Sequence, residues 1–240
     1  MPDRHRIPVT GDESIVAVHH SAQSSRWLVF CHGFLSDKSG SYERRCLRAV
    51  DEGYDAVRFD FRGCGESDGA FVDQSLGSKI DDLAAVVEHF DPDSLVLFGS
   101  SFGGKVAVHA TARDWVEPVA IATRAPVTAN AAFEEYRSIV DDAGECRFDD
   151  GRAMDRRFFD DLAGFSFDEV VDAIRDVPVA IFHGRADESV PIDHSFEAAR
   201  ALETDVTLEA YAGEGHVFSR TGNERVLDRL FDWLATIDRI

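Results

Sequence analysis

Apolar residues fall into short unbroken runs separated by longer stretches of helical spacing. Runs of strand length, rich in β-branched and aromatic residues, occupy 14–20, 27–32, 55–61, 94–100, 118–125, 178–183 and 206–211. Trp27-Leu-Val-Phe-Cys31 and Ser94-Leu-Val-Leu-Phe98 are apolar at consecutive rather than alternate positions. That pattern marks strands covered on both faces, as in a parallel sheet layered between helices. Between the runs, Leu76, Ile80, Leu83, Ala84 and Val87 recur at i, i+4, i+7, i+8 and i+11, and Val226, Leu227, Leu230, Phe231 and Leu234 repeat the pattern near the C-terminus. Both predict amphipathic helices. Turn residues cluster where strands end: His32-Gly33, Arg62-Gly-Cys-Gly65, Gly99, Gly184 and Gly213. With no repeat, low-complexity tract or linker, the pattern predicts one α/β domain over 1–240.

One segment breaks the alternation. About fifty residues separate the run ending at Ala125 from the one beginning at Pro178, far more than an ordinary α/β connection. The segment reads as a mainly helical, charged lid insertion over about 127–177. Its aromatics (Phe133, Tyr136, Phe148, Phe158, Phe159, Phe165 and Phe167) suit both stitching the lid to the body and walling a ligand pocket.

The candidate chemistry begins at Gly99-Ser-Ser101-Phe-Gly103, a G-x-S-x-G sequence after a buried strand and before a helical run from Val106 to Ala112. A sharp strand-to-helix turn exposes the serine hydroxyl at the positive end of a helix, and the flanking glycines let strand and helix approach. The same residues read G-x-x-x-x-G-K through Lys105, the start of a phosphate-binding loop, but Val106 stands where a magnesium-binding Ser or Thr is needed. A serine nucleophile needs a base, and the base an orienting acid. His216 lies in the loop Gly213-Glu-Gly-His216, after one strand run and before the last helix. His19, His20, His89 and His109 fall within strands or helices and read as packing or surface residues; His32 and His183 each precede a glycine at a strand end and stand as reserve candidates for the base, with turn-shaping as their expected role. Asp187 follows the 178–183 run, with Glu188 and Asp193 as alternatives. Ser101, Asp187 and His216 thus occur in that order, 86 and 29 residues apart, each past the C-terminal end of a strand, where open α/β sheets bind ligands.

Composition narrows the partners. Acidic residues number 45 against 25 basic ones, for a formal net charge of −20. Such a chain repels phosphate backbones and anionic lipid, which argues against nucleic-acid and membrane-surface roles. The bases are 22 Arg and only 3 Lys, and Asp outnumbers Glu by 29 to 16. Paired acids (Asp81-Asp82, Glu134-Glu135, Asp141-Asp142, Asp149-Asp150, Asp160-Asp161) fall in helical segments and the lid, so the charge reads as a solvation device suited to concentrated salt. The cysteines (Cys31, Cys46, Cys64, Cys146) show no CxxC pairing, so buried thiols are expected rather than a zinc site or disulfides. The N-terminal Met-Pro-Asp-Arg-His-Arg has no secretory h-region, and no run approaches about 18 apolar residues. A cytoplasmic protein is expected.

The elbow, the His32-Gly33-Phe34 turn, the stretch Asp60-Phe-Arg-Gly-Cys-Gly-Glu-Ser-Asp-Gly69, Gly184-x-x-Asp187 and Gly-x-Gly-His216 together resemble the α/β-hydrolase superfamily from about residue 14 to the end. Within it the chain is most similar to the cinnamoyl/feruloyl esterase and monoacylglycerol-lipase-like branch. One departure is Cys64, where such proteins usually carry His. The resemblance implies a mostly parallel sheet of about eight strands flanked by helices. It also implies catalysis by Ser101, His216 and Asp187 through an acyl-enzyme, with the backbone N–H groups of Phe34 and Phe102 holding the oxyanion. Their rings could equally line the pocket. The expected substrate is a small acyl ester, and no metal or organic cofactor is required. A peptidase, thioesterase or acyltransferase on the same residues, or a non-catalytic binding protein on this scaffold, remains open.

If the acidic surface is a device for salt, the melting temperature rises when KCl is taken from about 0.1 M to about 3 M. An unchanged melting temperature in scanning calorimetry would remove the salt-adaptation reading alone.

Overall fold

A computed structural model describes residues 2–237. In chain order its elements are β1 (Asp3–Pro8), β2 (Ser14–His20), β3 (Arg26–Cys31), α1 (Ser41–Asp51), β4 (Asp55–Asp60), α2 (Leu76–Phe90), β5 (Ser94–Ser100), α3 (Phe102–Ala112), β6 (Ala120–Arg124), α4 (Glu134–Ala143), β7 (Glu145–Arg147), β8 (Ala153–Asp155), α5 (Arg156–Leu162), α6 (Phe167–Ala173), β9 (Val179–Gly184), α7 (Asp193–Ala201), β10 (Val206–Tyr211) and α8 (Arg220–Leu234). All seven apolar runs become strands of one eight-stranded sheet ordered β1-β2-β4-β3-β5-β6-β9-β10. The β1–β2 and β2–β4 pairs are antiparallel and the remaining pairs parallel.

The continuous apolar runs sit in the middle of this sheet for the expected reason. Side chains alternate across a strand, and each face of β5 has its own core. Leu95 and Leu97 join α2, α3 and the insertion on one side; Val96 and Phe98 join α1 and α8 on the other. Val29 and Cys31 against Leu28 and Phe30 divide in the same way on β3.

Three elements escape the hydrophobic pattern. Strand β1 is a mostly exposed edge strand, with only Ile7 buried. In α1 the buried face is Tyr42, Arg45, Cys46 and Ala49, so a buried arginine interrupts the apolar spacing. Helix α7 buries only Ser195 and Ala198. The insertion is mainly helical as expected, but β7 and β8 form a small antiparallel hairpin within it. Strands of three residues with only Cys146 and Met154 buried are too short to show a period of two.

The insertion is docked firmly. Asp161 accepts hydrogen bonds from the first amides of α2, Leu76 at 2.8 Å and Gly77 at 3.1 Å, placing an anion at the positive end of that helix. Asn130 Nδ2 donates to the carbonyls of Leu162 and Phe165, and the Arg113 guanidinium lies 3.9 Å over the Phe165 ring. All four cysteines are free and buried. No described helix is long and apolar enough to cross a membrane.

All three lysines are buried: Lys38 is 6 % exposed, and Lys79 and Lys105 are 1 % exposed. Lys38 pairs with Asp60 at 2.5 Å, and Lys79 lies 4.6 Å over the Phe61 ring. Lys105 has no described partner, and burial pulls its pKa down to about 8.

Two buried histidines make the core acid-sensitive. Burial, and then the charges of Lys105 and Arg113, hold His109 down at about 3; burial and then Lys79 do the same to His32. Between those values and the ordinary value near 6.5, the unfolded chain binds protons that the folded one refuses. Stability therefore falls as pH drops through this window. Among the described residues both His109 nitrogens lack partners, so His109→Leu leaves no orphaned polar group. The stability lost between pH 7 and pH 4.5, from urea titrations, should shrink by roughly 2 kcal/mol in His109→Leu. An equal loss in both proteins would contradict this account.

Candidate active site

Strand β5 ends at Ser100, α3 starts at Phe102, and Ser101 forms the whole turn with φ 53° and ψ −119°. A left-handed backbone at a non-glycine residue costs on the order of 1–3 kcal/mol and persists only where its surroundings impose it. Here the Ser101 amide donates to the Arg124 carbonyl at 2.9 Å, and the Ser101 carbonyl accepts from Gly104 at 3.0 Å and Val127 at 3.1 Å. The glycines of the motif answer to close approach. A Cβ on Gly103 would strike the carbonyl oxygens of Cys31 and His32, and one on Gly99 would strike the Gly103 carbonyl.

His216, in the loop between β10 and α8, and Asp187, in the loop after β9, meet Ser101 at the C-terminal edge of the sheet. His216 Nε2 lies 3.0 Å from Ser101 Oγ, and His216 Nδ1 lies 2.8 Å from Asp187 Oδ2. An ionised carboxylate only accepts, so Nδ1 carries the proton and Nε2 is left to accept from the serine hydroxyl. Glu188 and Asp193 are both exposed, and it is Asp187 that the imidazole meets.

Asp187 is itself held on all sides. Its Oδ1 accepts from the amides of Ser189 (2.9 Å) and Val190 (2.8 Å), while Oδ2 also receives His183 Nε2–H at 3.1 Å. Burial by itself would raise this carboxyl, but the hydrogen bonds from His183, His216 and Val190 outweigh it and hold the group well below the usual carboxylate range. His183 Nε2–H is shared with the Val190 carbonyl (2.9 Å), and Ser195 Oγ faces Nδ1 at 2.7 Å. Nε2 thus faces two acceptors and carries a proton, while Nδ1 meets the Ser195 hydroxyl. His183 does shape its turn, and it also grips Asp187. A histidine four residues before the aspartate at a strand end was the signal available in the sequence; the Ser195 contact from α7 had none.

The two expected amide donors flank the serine. Phe102 is the first residue of α3, where helical amides have no partner within the helix. Phe34 follows Gly33, whose backbone lies so close that a Cβ there would sit 3.4 Å from Ser101 Cβ. Among the described residues neither amide has an acceptor. The rings differ in placement: Phe34 lines the cavity, whereas Phe102 is wholly buried behind it. Phe34 packs edge-on against Phe71, Phe102, Phe133, Phe148 and Phe158 at 5.2–6.0 Å, which joins the turn to the insertion. His32 fixes that turn from behind, with Nδ1 2.8 Å from the Gly33 carbonyl and Nε2 accepting from the Phe61 amide at 3.2 Å.

Ser101 and His216 open into a cavity of about 830 Å³. On the insertion side its wall is Phe34, Val127, Ala132, Phe133 and Tyr136; toward α1 and α8 it is polar. A second hollow of about 790 Å³ lies at the opposite edge of the sheet, at the start of β9 and β10, far from these residues. Lys105, the would-be phosphate lysine, is buried and lines neither hollow, so the phosphate-loop pattern forms no phosphate cradle. Among the described residues no cluster of His, Cys, Asp or Glu is arranged to hold a metal ion.

Comparison with known proteins agrees with this architecture. The chain is 24% identical over 231 residues to the palmitoyl-protein thioesterase ABHD10 of Rattus norvegicus, covering 88% of this chain and 76% of the relative. Among solved structures it superposes on Est1E of Butyrivibrio proteoclasticus with bound ferulic acid, at TM-score 0.83 and 21% identity, covering 97% of this chain and 100% of that one. It superposes on mouse alpha/beta hydrolase domain-containing protein 10 at TM-score 0.85 and 18% identity, covering 98% and 100%. Residues 26–169 match the alpha/beta hydrolase fold family, and the chain belongs to that family.

Proposed function

We propose that the protein is a serine hydrolase that cleaves carboxylic esters through an acyl-enzyme. The observation that carries this reading is the unbroken hydrogen-bonded series Ser101–His216–Asp187 at the mouth of a cavity. As Ser101 Oγ attacks the acyl carbonyl, its proton passes to His216 Nε2, and the Asp187 carboxylate stabilises the imidazolium that forms. The carbonyl oxygen, now negative, is met by the Phe34 and Phe102 amides, which cost no reorganisation because neither has an acceptor among the described residues. Collapse of the tetrahedral adduct expels the alcohol, which takes the proton from His216. Water then attacks the acyl-serine by the same route in reverse and releases the acid.

Thioesters present the same carbonyl and a better leaving group, so they belong in the same tests. The printed name of the rat relative is that of a thioesterase, and ferulic acid is bound in the Est1E structure. The apolar insertion-side wall suits an acyl or aryl group in either case. Four free, buried thiols and a lysine-free, acid-rich surface fit a reducing, salt-rich cytoplasm as the place of action.

Wild-type protein should hydrolyse short-chain 4-nitrophenyl esters, and Ser101→Ala should lower kcat/KM at least a thousandfold. Asp187→Asn should cost on the order of a thousandfold or more, mainly in kcat, because the wrong imidazole tautomer is then stabilised. A fluorophosphonate probe mapped by mass spectrometry should mark Ser101; modification at another residue, or wild-type turnover by Ser101→Ala, would sink the mechanism.

A further inference from the structure

Two guanidinium groups that the proposed chemistry does not use meet near the cavity wall toward α1 and α8: Arg124, which lines it, and Arg45, which is buried and does not. Arg124 is the last residue of β6 and pairs in register with Ser100, next to the serine. Its Nη1 donates to Asn223 Oδ1 at 3.1 Å, and its Nε is buried with no acceptor among the described residues. Arg45, 2 % exposed, donates to the same Asn223 oxygen at 2.9 Å and to Ser100 Oγ at 3.0 Å. Two cations thus share one neutral carbonyl. Among the described residues, neither has a carboxylate within ion-pair distance. The carboxylates acting on Arg124 from farther off are Asp187 and Glu214, and both are already committed, Asp187 to His216 and Glu214 to Ser219.

Leaving a buried or part-buried charge without a counter-ion is costly. Burial, and then the Arg45 charge, pull Arg124 down to about 10, the direction expected of a cation short of anions. The chain is far from short of acids, with 45 of them. Among the described residues twenty ion pairs engage fourteen of the other arginines, yet Arg45 and Arg124 make none. The neighbouring backbone is also constrained. Ala125 takes φ 47° just before Pro126, held by its amide donating to the Phe182 carbonyl at 2.9 Å. Arg124 lines the cavity together with Arg44 and Arg220, whereas the two acids on the wall, Glu135 and Glu188, are exposed and come from other elements.

We infer that Arg124, backed by Arg45 and Asn223, is an anion subsite, and that the substrate is an ester carrying an apolar group on one side and a carboxylate or phosphate on the other. This rests on the ester-hydrolase reading above. The apolar group lies against Phe34, Phe133 and Tyr136, and the anion supplies the acceptors that Arg124 lacks. A guanidinium presents five N–H donors in a planar fork suited to a two-oxygen acceptor, and among the described residues the Arg124 side chain makes one hydrogen bond, to Asn223.

The test compares matched esters at fixed ionic strength: the 4-nitrophenyl monoester of adipic acid against 4-nitrophenyl hexanoate, and 4-acetoxybenzoate and 4-acetoxyphenyl phosphate against phenyl acetate. At least one anionic ester should exceed its neutral match at least tenfold in kcat/KM, mainly through KM. The preferred member identifies the anion and the side of the ester that carries it. That ratio should collapse about tenfold in Arg124→Gln and be partly retained in Arg124→Lys. No anionic preference in the wild type, or a preference unchanged in Arg124→Gln, overturns the subsite. Should Arg124→Gln fail to fold, competitive inhibition of the wild type by adipate but not by 1-hexanol decides the question, and inhibition by neither refutes it. Should no ester be hydrolysed, the ester reading fails by itself. Calorimetric binding of adipate to wild type, weakened in Arg124→Lys, would then still support an anion site, and no binding would overturn it.

Discussion

The left-handed turn at Ser101 is the constraint on which the rest of the site depends. Its cost is met by three backbone hydrogen bonds, one to the end of β6 and two from the residues that begin α3 and follow Pro126. Those bonds exist only if β5 and β6 are in register, with Ser100 opposite Arg124, and if α3 crosses β3 closely enough to forbid a side chain at Gly103. The two-sided core around β5 secures that register, because a slip of one residue would send Leu95 and Leu97 to the wrong face. The serine is thus aimed by the same packing that builds the sheet.

Asp187 is the second point of convergence. Four donors from three chain segments meet on one buried carboxylate. Hydrogen bonding to the ionised form outweighs burial, so the group stays charged and can hold the His216 imidazole in one tautomer. His183 and Ser195 extend the support back to β9 and α7, elements that do not line the cavity.

Charge is partitioned by residue type. Arginine supplies the basic side chains of the surface, where it forms many exposed ion pairs with Asp and Glu. Exposed pairs of this kind each contribute little, and their number still leaves a large acidic excess facing solvent. The lysines are all withdrawn from solvent. Arg45 and Arg124 depart from this division, since they are inward-facing and share a neutral partner, and Arg124 lines the cavity.

Much of this was legible in the chain before any coordinates. Continuous apolar runs specify strands buried on both faces, since no other arrangement hides consecutive side chains of a strand. The elbow, Asp187 and His216 were legible because strand ends, glycines and chain order are local properties. Elements whose stability comes from contacts rather than pattern were not: the edge strand β1, the arginine-bearing α1, and the three-residue hairpin in the insertion. Only the tertiary structure decided that Phe34 lines the cavity while Phe102 does not, that His183 and Ser195 secure Asp187, and that Arg45, Arg124 and Asn223 meet. Positions 45, 124 and 223 lie on three separate elements. A hydrogen bond depends on distance and direction in space, and sequence separation carries neither, so such a meeting is settled only when the sheet and its flanking helices are assembled.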